Sequence, residues 1–283
     1  MKADLHMHST YSDGGYDPEA LMQKCADGGL TMVSLTDHDT TGGLVAARKY
    51  ADQHGIRFVS GIELSTRSKS GRSVDILGYN FDAEDPEFQE TIAYYRRMRK
   101  GRMAEMIEKC RSLGINVEWS DVLVHVTGHT YSRPHMAKAL VDKGYAENVS
   151  DAFKRYVGYG KPLYVQKKEE LSPEQAIDVI QSAGGVAIVA HPVFYNLDDE
   201  IAEWAVYNGL DGIEVYHRDH SKETIARFCR LADRIEEKTG RTILRTGGSD
   251  FHHESFGRDG EEIGITKLPH KEADQFLSAI RTR

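Results

Sequence analysis

The sequence predicts an α/β fold in which parallel βαβ units close into a barrel and a block of helices interrupts them. Three observations predict it. Short apolar runs alternate with amphipathic helical patterns along most of the chain, as βαβ units require. About seven such units are visible, enough to close a barrel rather than leave an open sheet. Residues 84–165 break the rhythm and read as helix after helix.

The elements follow in order. "KADLHMH" reads as a strand. "DPEALMQKCADGGL" is a helix, because Asp17 suits the N-cap, Pro18 the first turn and Gly28-Gly29 the stop. "TMVSLTDHD" is the next strand and "LVAARKYADQHG" its helix, followed by the strands "IRFVSGIELS" and "SVDILGYNF". After the break, "SPEQAIDVIQSAGG", "DDEIAEWAVYNG" and "HSKETIARFCRLADRIEEKTG" are helices, each leading into a strand: "VAIVAHP", "LDGIEVYH" and "TILRTGGSD". The break itself holds the long helix "PEFQETIAYYRRMRKGRMAEMIEKCRSLG" and shorter ones at "RPHMAKALVDKG" and "VSDAFKRYVG". The expected organisation is a discontinuous barrel, 1–83 and 166–283, with a helical insertion over 84–165 that is rich in Lys, Arg and Tyr.

Composition narrows the function classes. A chain of 283 residues, 40% apolar and 28% charged, has the make-up of a soluble globular protein near the upper size for one core. A net charge of −8 disfavours duplex DNA, which calls for a basic surface, but leaves room for a small phosphorylated partner held by local cations. Cys25, Cys110 and Cys229 are far apart with no C-x-x-C, which suits a reducing, cytoplasmic setting. Neither an export signal nor a membrane-spanning run is expected.

The titratable residues are not scattered. His6 and His8 end the first expected strand, Asp37, His38 and Asp39 the second, and Glu63 the third. His191 follows "VAIVA"; Glu214 with His217, and Asp250 with His252, end two more. In a parallel barrel those ends converge on one face, where active sites are built. His-x-His on a strand sends both imidazoles the same way. His mixed with Asp and Glu, without Cys, suits catalytic Mn²⁺, Zn²⁺ or Fe²⁺ rather than a structural thiolate site. The candidate set is His6, His8, Asp13, His38, Glu63, His135, His191, Asp250 and His252, too many for one ion and suited to two or three. His54, His125, His129, His253 and His270 read as surface or capping residues, and His217 and His220 as pocket-lining or structural.

The motifs "DLHMHSTYSDG", "LTDHD", "GIELS", "SRPHMAKALV", "VAHP" and "GGSDFH", in this order across nearly the whole chain, resemble the PHP (polymerase and histidinol phosphatase) metal-dependent phosphoesterases. The insertion bearing "RPH" is most similar to the subgroup acting on nucleoside 3′,5′-bisphosphates and on the 5′ ends of short RNA. The resemblance implies a distorted (β/α)₇ barrel with up to three divalent ions, Mn²⁺ first among them. It implies one ion on His6, His8, Glu63 and Asp250, and a second on Glu63, His135 and His191. A third would sit on Asp13, His38 and His252. One departure stands out: Asp75 in "VDILGY" replaces a histidine of related sequences, outside that ligand set, and bears on the ligands' surroundings or the choice of metal.

The expected reaction is phosphate-ester hydrolysis by a hydroxide held between two ions, in line with phosphorus. Glu63, His191 and Asp250 would serve it, with His217 as a candidate proton donor. Arg133, Lys161 and Arg218 are candidate phosphate-gripping cations, and Tyr156, Tyr159 and Tyr164 candidate base-stacking rings. The substrate expected is a nucleoside 3′,5′-bisphosphate. Short RNA with a 5′ end, or a histidinol-phosphate-type ester, is the alternative. A PHP module without activity would lack ligands, and every matched position is filled.

Overall fold

The computed structural model describes residues 2–126, 130–166, 169–256 and 258–281; His129 lies outside them. Seven strands form one sheet in sequence order: β1 (Ala3–Asp4), β2 (Met32–Leu35), β3 (Arg57–Arg67), β4 (Ser73–Tyr79), β5 (Val186–Val189), β6 (Gly212–His217) and β7 (Leu244–Gly248). The chain after β1 returns to β7: the Leu5 N–H donates to the Gly247 carbonyl at 3.2 Å, and Met7 bridges Phe251. The close approach requires Gly248, where a Cβ would lie 2.3 Å from the Cβ of His6.

The sheet is not wholly parallel. β4 runs antiparallel to both β3 and β5, while the remaining pairs are parallel. The link at residues 68–72 is a tight turn, too short for the crossover that a parallel neighbour needs. The chain thus makes a hairpin where two parallel strands were expected.

The outer helices form where capping and amphipathic pattern placed them. α1 (Pro18–Asp27) starts with Asp17 accepting the Ala20 N–H at 2.8 Å, and the chain leaves it through Gly29 at φ +68°. α2 (Leu44–Gln53) follows β2. Four helices then precede the second half of the barrel: α3 (Pro86–Ser112), α4 (Trp119–Leu123), α5 (Arg133–Asp142) and α6 (Val149–Ala152), the last continuing as a π-helical turn over Phe153–Val157. Their core of Met103, Ile107, Met136, Leu140, Val157 and Leu163 is separate from the barrel's. The first turns of α3 belong to the barrel instead, through Phe88 and Ile92. α7 (Pro173–Ser182), α8 (Asp198–Tyr207) and α9 (Lys222–Thr239) complete the outer layer.

A last helix, α10 (His270–Arg281), was not anticipated. Its Phe276, Leu277 and Ile280 pack against Ala3, Leu5, Met32, Val59, Tyr79, Val186 and Leu244 and seal the strand-start end of the barrel. Tyr79 meets Phe276 edge-on at 5.2 Å and donates to the Leu5 carbonyl at 2.8 Å. The opposite end is left for chemistry. No helix among the described residues is long and apolar enough to cross a membrane, and the three cysteines are free.

Candidate metal centre

The polar residues collect at the open end. His6 and His8 follow β1, Asp13 sits in the loop before α1, and His38 follows β2. Glu63 lies midway along β3, not at its end as expected, because β3 runs on to pair with β4. Asp75 stands near the start of β4, and the reversal of that strand brings its start to the open end. His191 follows β5, Glu214 and His217 lie on β6, and Asp250 and His252 follow β7.

Among the described residues, three groups offer ligand atoms within 4.8 Å of one another: His6, His8, Glu63 and Asp250; His8, Asp13, His38 and His252; and His38, Glu63 and Asp75. Glu63 is central and fully buried. Its Oε2 lies 3.4 Å from His6 Nε2, 3.2 Å from His8 Nε2 and 3.1 Å from His38 Nδ1. Its Oε1 lies 3.0 Å from His191 Nε2. Asp250 Oδ1 is 3.2 Å from His8 Nε2 and 3.5 Å from His6 Nε2. Asp13 Oδ1 is 3.2 Å from His252 Nε2.

These residues fit divalent cations. His6 Nε2, His8 Nε2, His38 Nδ1 and Glu63 Oε2 are buried and make no hydrogen bond, an expensive state for four converging polar atoms unless an ion completes them. The ligand separations match the edges of a coordination shell with bonds of about 2.1 Å.

Neighbouring groups aim the ligands. Glu214 Oε1 accepts from His6 Nδ1 at 3.0 Å, which leaves Nε2 a free lone pair, and its Oε2 accepts the His191 N–H at 2.7 Å. Tyr195 Oη receives the Asp75 N–H at 2.9 Å and lies 2.8 Å from His191 Nδ1. His191 and Asp250 hold positive φ, +24° and +49°, strained conformations that persist only where the surroundings impose them. Beneath the Asp13 loop, Ser9 and Ser12 both donate to Asp37 at 2.6 Å. Arg218 and Arg258 reach Asp250 from its outer side, with Glu261 between them.

Electrostatics show a cation trap. Burial opposes charge on His8, but Asp250 and Glu63 outweigh it and lift His8 to about 10. Burial likewise loses to Glu63, Asp75 and Asp250 at His191, lifted to about 9. Glu63 and Asp250 are held well below the carboxylate range despite burial, Glu63 mainly by His38 and His6, Asp250 mainly by His252 and Arg258. Glu214 falls to about 2 against its burial, through His6. Protons stand in for positive charge that ions supply.

Four expected residues sit differently. His135 joins none of the three groups and is not beside Glu63 and His191. Its Nδ1 accepts the Ser132 N–H at 3.2 Å, and burial lowers it to about 4, so the neutral ring carries its proton on Nε2 and has no lone pair to offer there. Lys161 is exposed and does not line the cavity. Arg218 is buried against Glu261 and Asp250 rather than facing the cavity. His217 is buried outside the cavity lining and lowered to about 4 by burial, with Nε2 4.0 Å from Asp250 Oδ2. Of the tyrosines, Tyr159 and Tyr164 line the cavity and Tyr156 does not.

The cavity over the centre has a volume of about 910 Å³ and is lined by Glu63, Asp75, His191, Asp250 and His252 on one side. Arg133, the one candidate cation found there, is joined by Arg67, Arg72, Arg99, Arg102 and Arg258, which sequence reasoning missed; Arg67 is paired with Glu170, and Arg72 is exposed at the rim. Arg99 is neutralised by Asp39, whereas Arg102 and Arg133 have no carboxylate partner among the described residues. The only sequence sign of Arg102 was its place in the basic run of α3.

A family model described as the PHP domain matches residues 4–181. The chain belongs to the PHP domain family. It is a metal-dependent phosphoesterase. Among its relatives, a 5′-3′ exoribonuclease of Haemophilus influenzae is 34% identical over 256 residues, 89% of this chain and 90% of that protein. A 3′,5′-nucleoside bisphosphate phosphatase of Chromobacterium violaceum is 33% identical over 276 residues, 93% of this chain and 91% of that protein. A solved structure from Bifidobacterium adolescentis, described as a metal-dependent phosphoesterase, superimposes with a TM-score of 0.87 and 31% identity over 98% of this chain and 95% of that one.

Proposed function

We propose that the protein hydrolyses phosphate monoesters of small nucleotides, foremost nucleoside 3′,5′-bisphosphate to the 5′-monophosphate and phosphate. The observation that carries this reading is the cavity: carboxylates and imidazoles on its floor, and on its wall three guanidiniums without carboxylate partners among the described residues, Arg72, Arg102 and Arg133, the last two held in place by aromatic rings. A monophosphate needs only the floor. A second phosphate, several ångströms away, gives Arg102 and Arg133 the anion they lack. Arg102 rests on the Tyr164 ring and donates to the Val165 carbonyl at 2.7 Å, and Arg133 rests on Phe153, so both are held in place. On this reading 84–165 is a cap that selects the substrate.

In this reading His6, His8, Glu63 and Asp250 hold one ion, and His8, Asp13, His38 and His252 another. His38, Glu63 and Asp75 are suited to an ion between them, with Asp75 in the place assigned to His135 and His191 beside Glu63 Oε1 at 3.0 Å. Mn²⁺ is the metal to load first, because four carboxylates, Asp13, Glu63, Asp75 and Asp250, share the set with five imidazoles, a mixed donor set that Zn²⁺ and Fe²⁺ also suit. Divalent ions there supply Lewis-acid neutralisation of phosphoryl charge and activation of water. Glu63 keeps its two oxygens turned toward different groups, Arg258 lies beside Asp250 at the cavity edge, and Arg102 and Arg133 orient the substrate.

The second reading is cleavage at the 5′ end of short RNA, favoured by the similarity to the exoribonuclease. One panel separates the two: Mn²⁺-loaded protein on adenosine 3′,5′-bisphosphate, AMP, histidinol phosphate and a 5′-phosphorylated trinucleotide. The bisphosphate should have the highest kcat/KM. A trinucleotide preferred over it would overturn the first reading in favour of the second.

A further inference from the structure

The segment Ser132-Arg133-Pro134-His135 opens α5, and the site uses only Arg133 of it. His135 is fully buried on another face of the same turn. Its Nδ1 closes the capping box with Ser132, and its Nε2 is buried with no hydrogen-bond partner, while the neighbouring Asp13 and Ser12 backbone partly offset the lowering of the ring by burial. Three residues on, along the same face, Lys138 reaches the same loop. Its Nζ lies 3.3 Å from the Asp13 carbonyl and 3.4 Å from the Gly14 carbonyl, and 4.6 Å from the Phe256 ring centre.

The loop they touch has no slack. Its underside is fastened to Asp37 through Ser9 and Ser12. Gly14 passes so close to the His8 carbonyl that a Cβ would sit 2.3 Å from its oxygen. Between these grips Asp13 turns toward His252 at 3.2 Å, His8 at 3.8 Å and His38 at 3.9 Å. Asp37 below and α5 above therefore clamp one loop, and Asp13 is the carboxylate it presents.

We propose that His135 and Lys138 are positioning residues that press the Asp13 loop from α5 and so set the ion pocket of His8, Asp13, His38 and His252. This rests on the reading that this pocket holds an ion. The helix that brings Arg133 to the cavity is then the same rigid piece that aims Asp13.

The experiment is Mn²⁺ binding to the metal-free full chain, with ions per chain measured by equilibrium dialysis and elemental analysis. His135→Gln keeps an S-x-x-Q capping box, so the helix start survives while the ring beside Ser12 and Asp13 is lost. Lys138→Met keeps an apolar stem over Phe256 and removes the ammonium. In both, one ion should weaken by about tenfold or more while the others bind as in the unaltered protein. The melting temperature of the metal-free protein should be unchanged for His135→Gln, and Lys138→Arg should restore the lost ion. Retention of every ion in both variants overturns the inference, as does equal weakening of all ions, which marks a general loss of structure. If the unaltered protein binds no ion that Asp13→Asn removes, the reading of the pocket itself fails and the inference falls with it.

Discussion

Glu214→Gln tests the logic of the centre because it changes one atom type and almost no volume. Glu214 accepts two hydrogen bonds, from His6 Nδ1 at 3.0 Å and from the His191 N–H at 2.7 Å. A glutamine has one acceptor oxygen for the two. The backbone N–H of His191 cannot change its character, so the amide oxygen stays there and the NH₂ turns toward His6. His6 must then accept at Nδ1 and carry its proton on Nε2, the atom 3.4 Å from Glu63 and 3.5 Å from Asp250. Either the ion loses an imidazole or two donors face each other in a dry site. An unsatisfied buried donor costs about 1–3 kcal/mol, which is about 10–100-fold in metal affinity. Competition between metal-free protein and a chelating dye for Mn²⁺ measures it, and ¹⁵N chemical shifts of the imidazoles report the tautomer. Unchanged affinity with the His6 proton still on Nδ1 would refute the reasoning.

Further outcomes follow from the same geometry. Glu63→Gln should lower kcat/KM more than Asp13→Asn at saturating Mn²⁺, since Glu63 faces His6, His8, His38 and His191 whereas Asp13 faces only His8, His38 and His252; equal losses would contradict these roles. Arg133→Ala should cost about 2–4 kcal/mol in kcat/KM on adenosine 3′,5′-bisphosphate and much less on AMP; equal losses would place Arg133 at the scissile phosphate instead. The metal-free protein should lose stability as pH rises from 6.5 toward 9–10. His8 and His191 are lifted to about 10 and about 9 from 6.5, so their contribution is complete below 6.5 and disappears as pH passes those values. The depressed carboxylates are ionised throughout that window and contribute equally across it. Bound Mn²⁺ replaces the protons, so melting curves with and without it should separate as pH rises; parallel curves would contradict the proton-for-metal exchange.

Much of this was legible in the sequence, for reasons that residues make plain. The alternation of apolar runs and capped helices placed the outer layer, and ionisable residues at strand ends placed the open face. Directions were harder. Nothing in "SVDILGYNF" itself says that β4 runs backwards; the short link before it does, because it cannot carry a crossover. Asp75 was consequently read as a bystander. Reversal puts the start of β4 beside Glu63 and His38. His135 was read as a ligand through the resemblance that "SRPHMAKALV" carries, but the capping contact takes its Nδ1, and Arg133, two residues before it, is the one that reaches the cavity. Arg218 and Lys161 show that a cation in a suggestive motif is as readily a brace for a carboxylate or a solvated side chain. The helix α10 escaped because no strand follows it to complete a unit.

The reversed strand also dictates a length. A forward β4 would have delivered the chain directly to the rim. Running backwards, it ends at Tyr79, against Phe276 on the sealed floor, and Asn80 donates to the Ile280 carbonyl there at 2.7 Å. Everything the next segment contributes to the rim has to be carried back up. The 27 residues of α3 span about 40 Å and act as a mast stepped near the keel, with Arg99 and Arg102 fixed at the height of the cavity. Removing one turn from its lower half would draw Arg102 down by about 5.4 Å, far outside reach of a phosphate, while trimming the turn at 68–72 would leave the height of the mast unaltered.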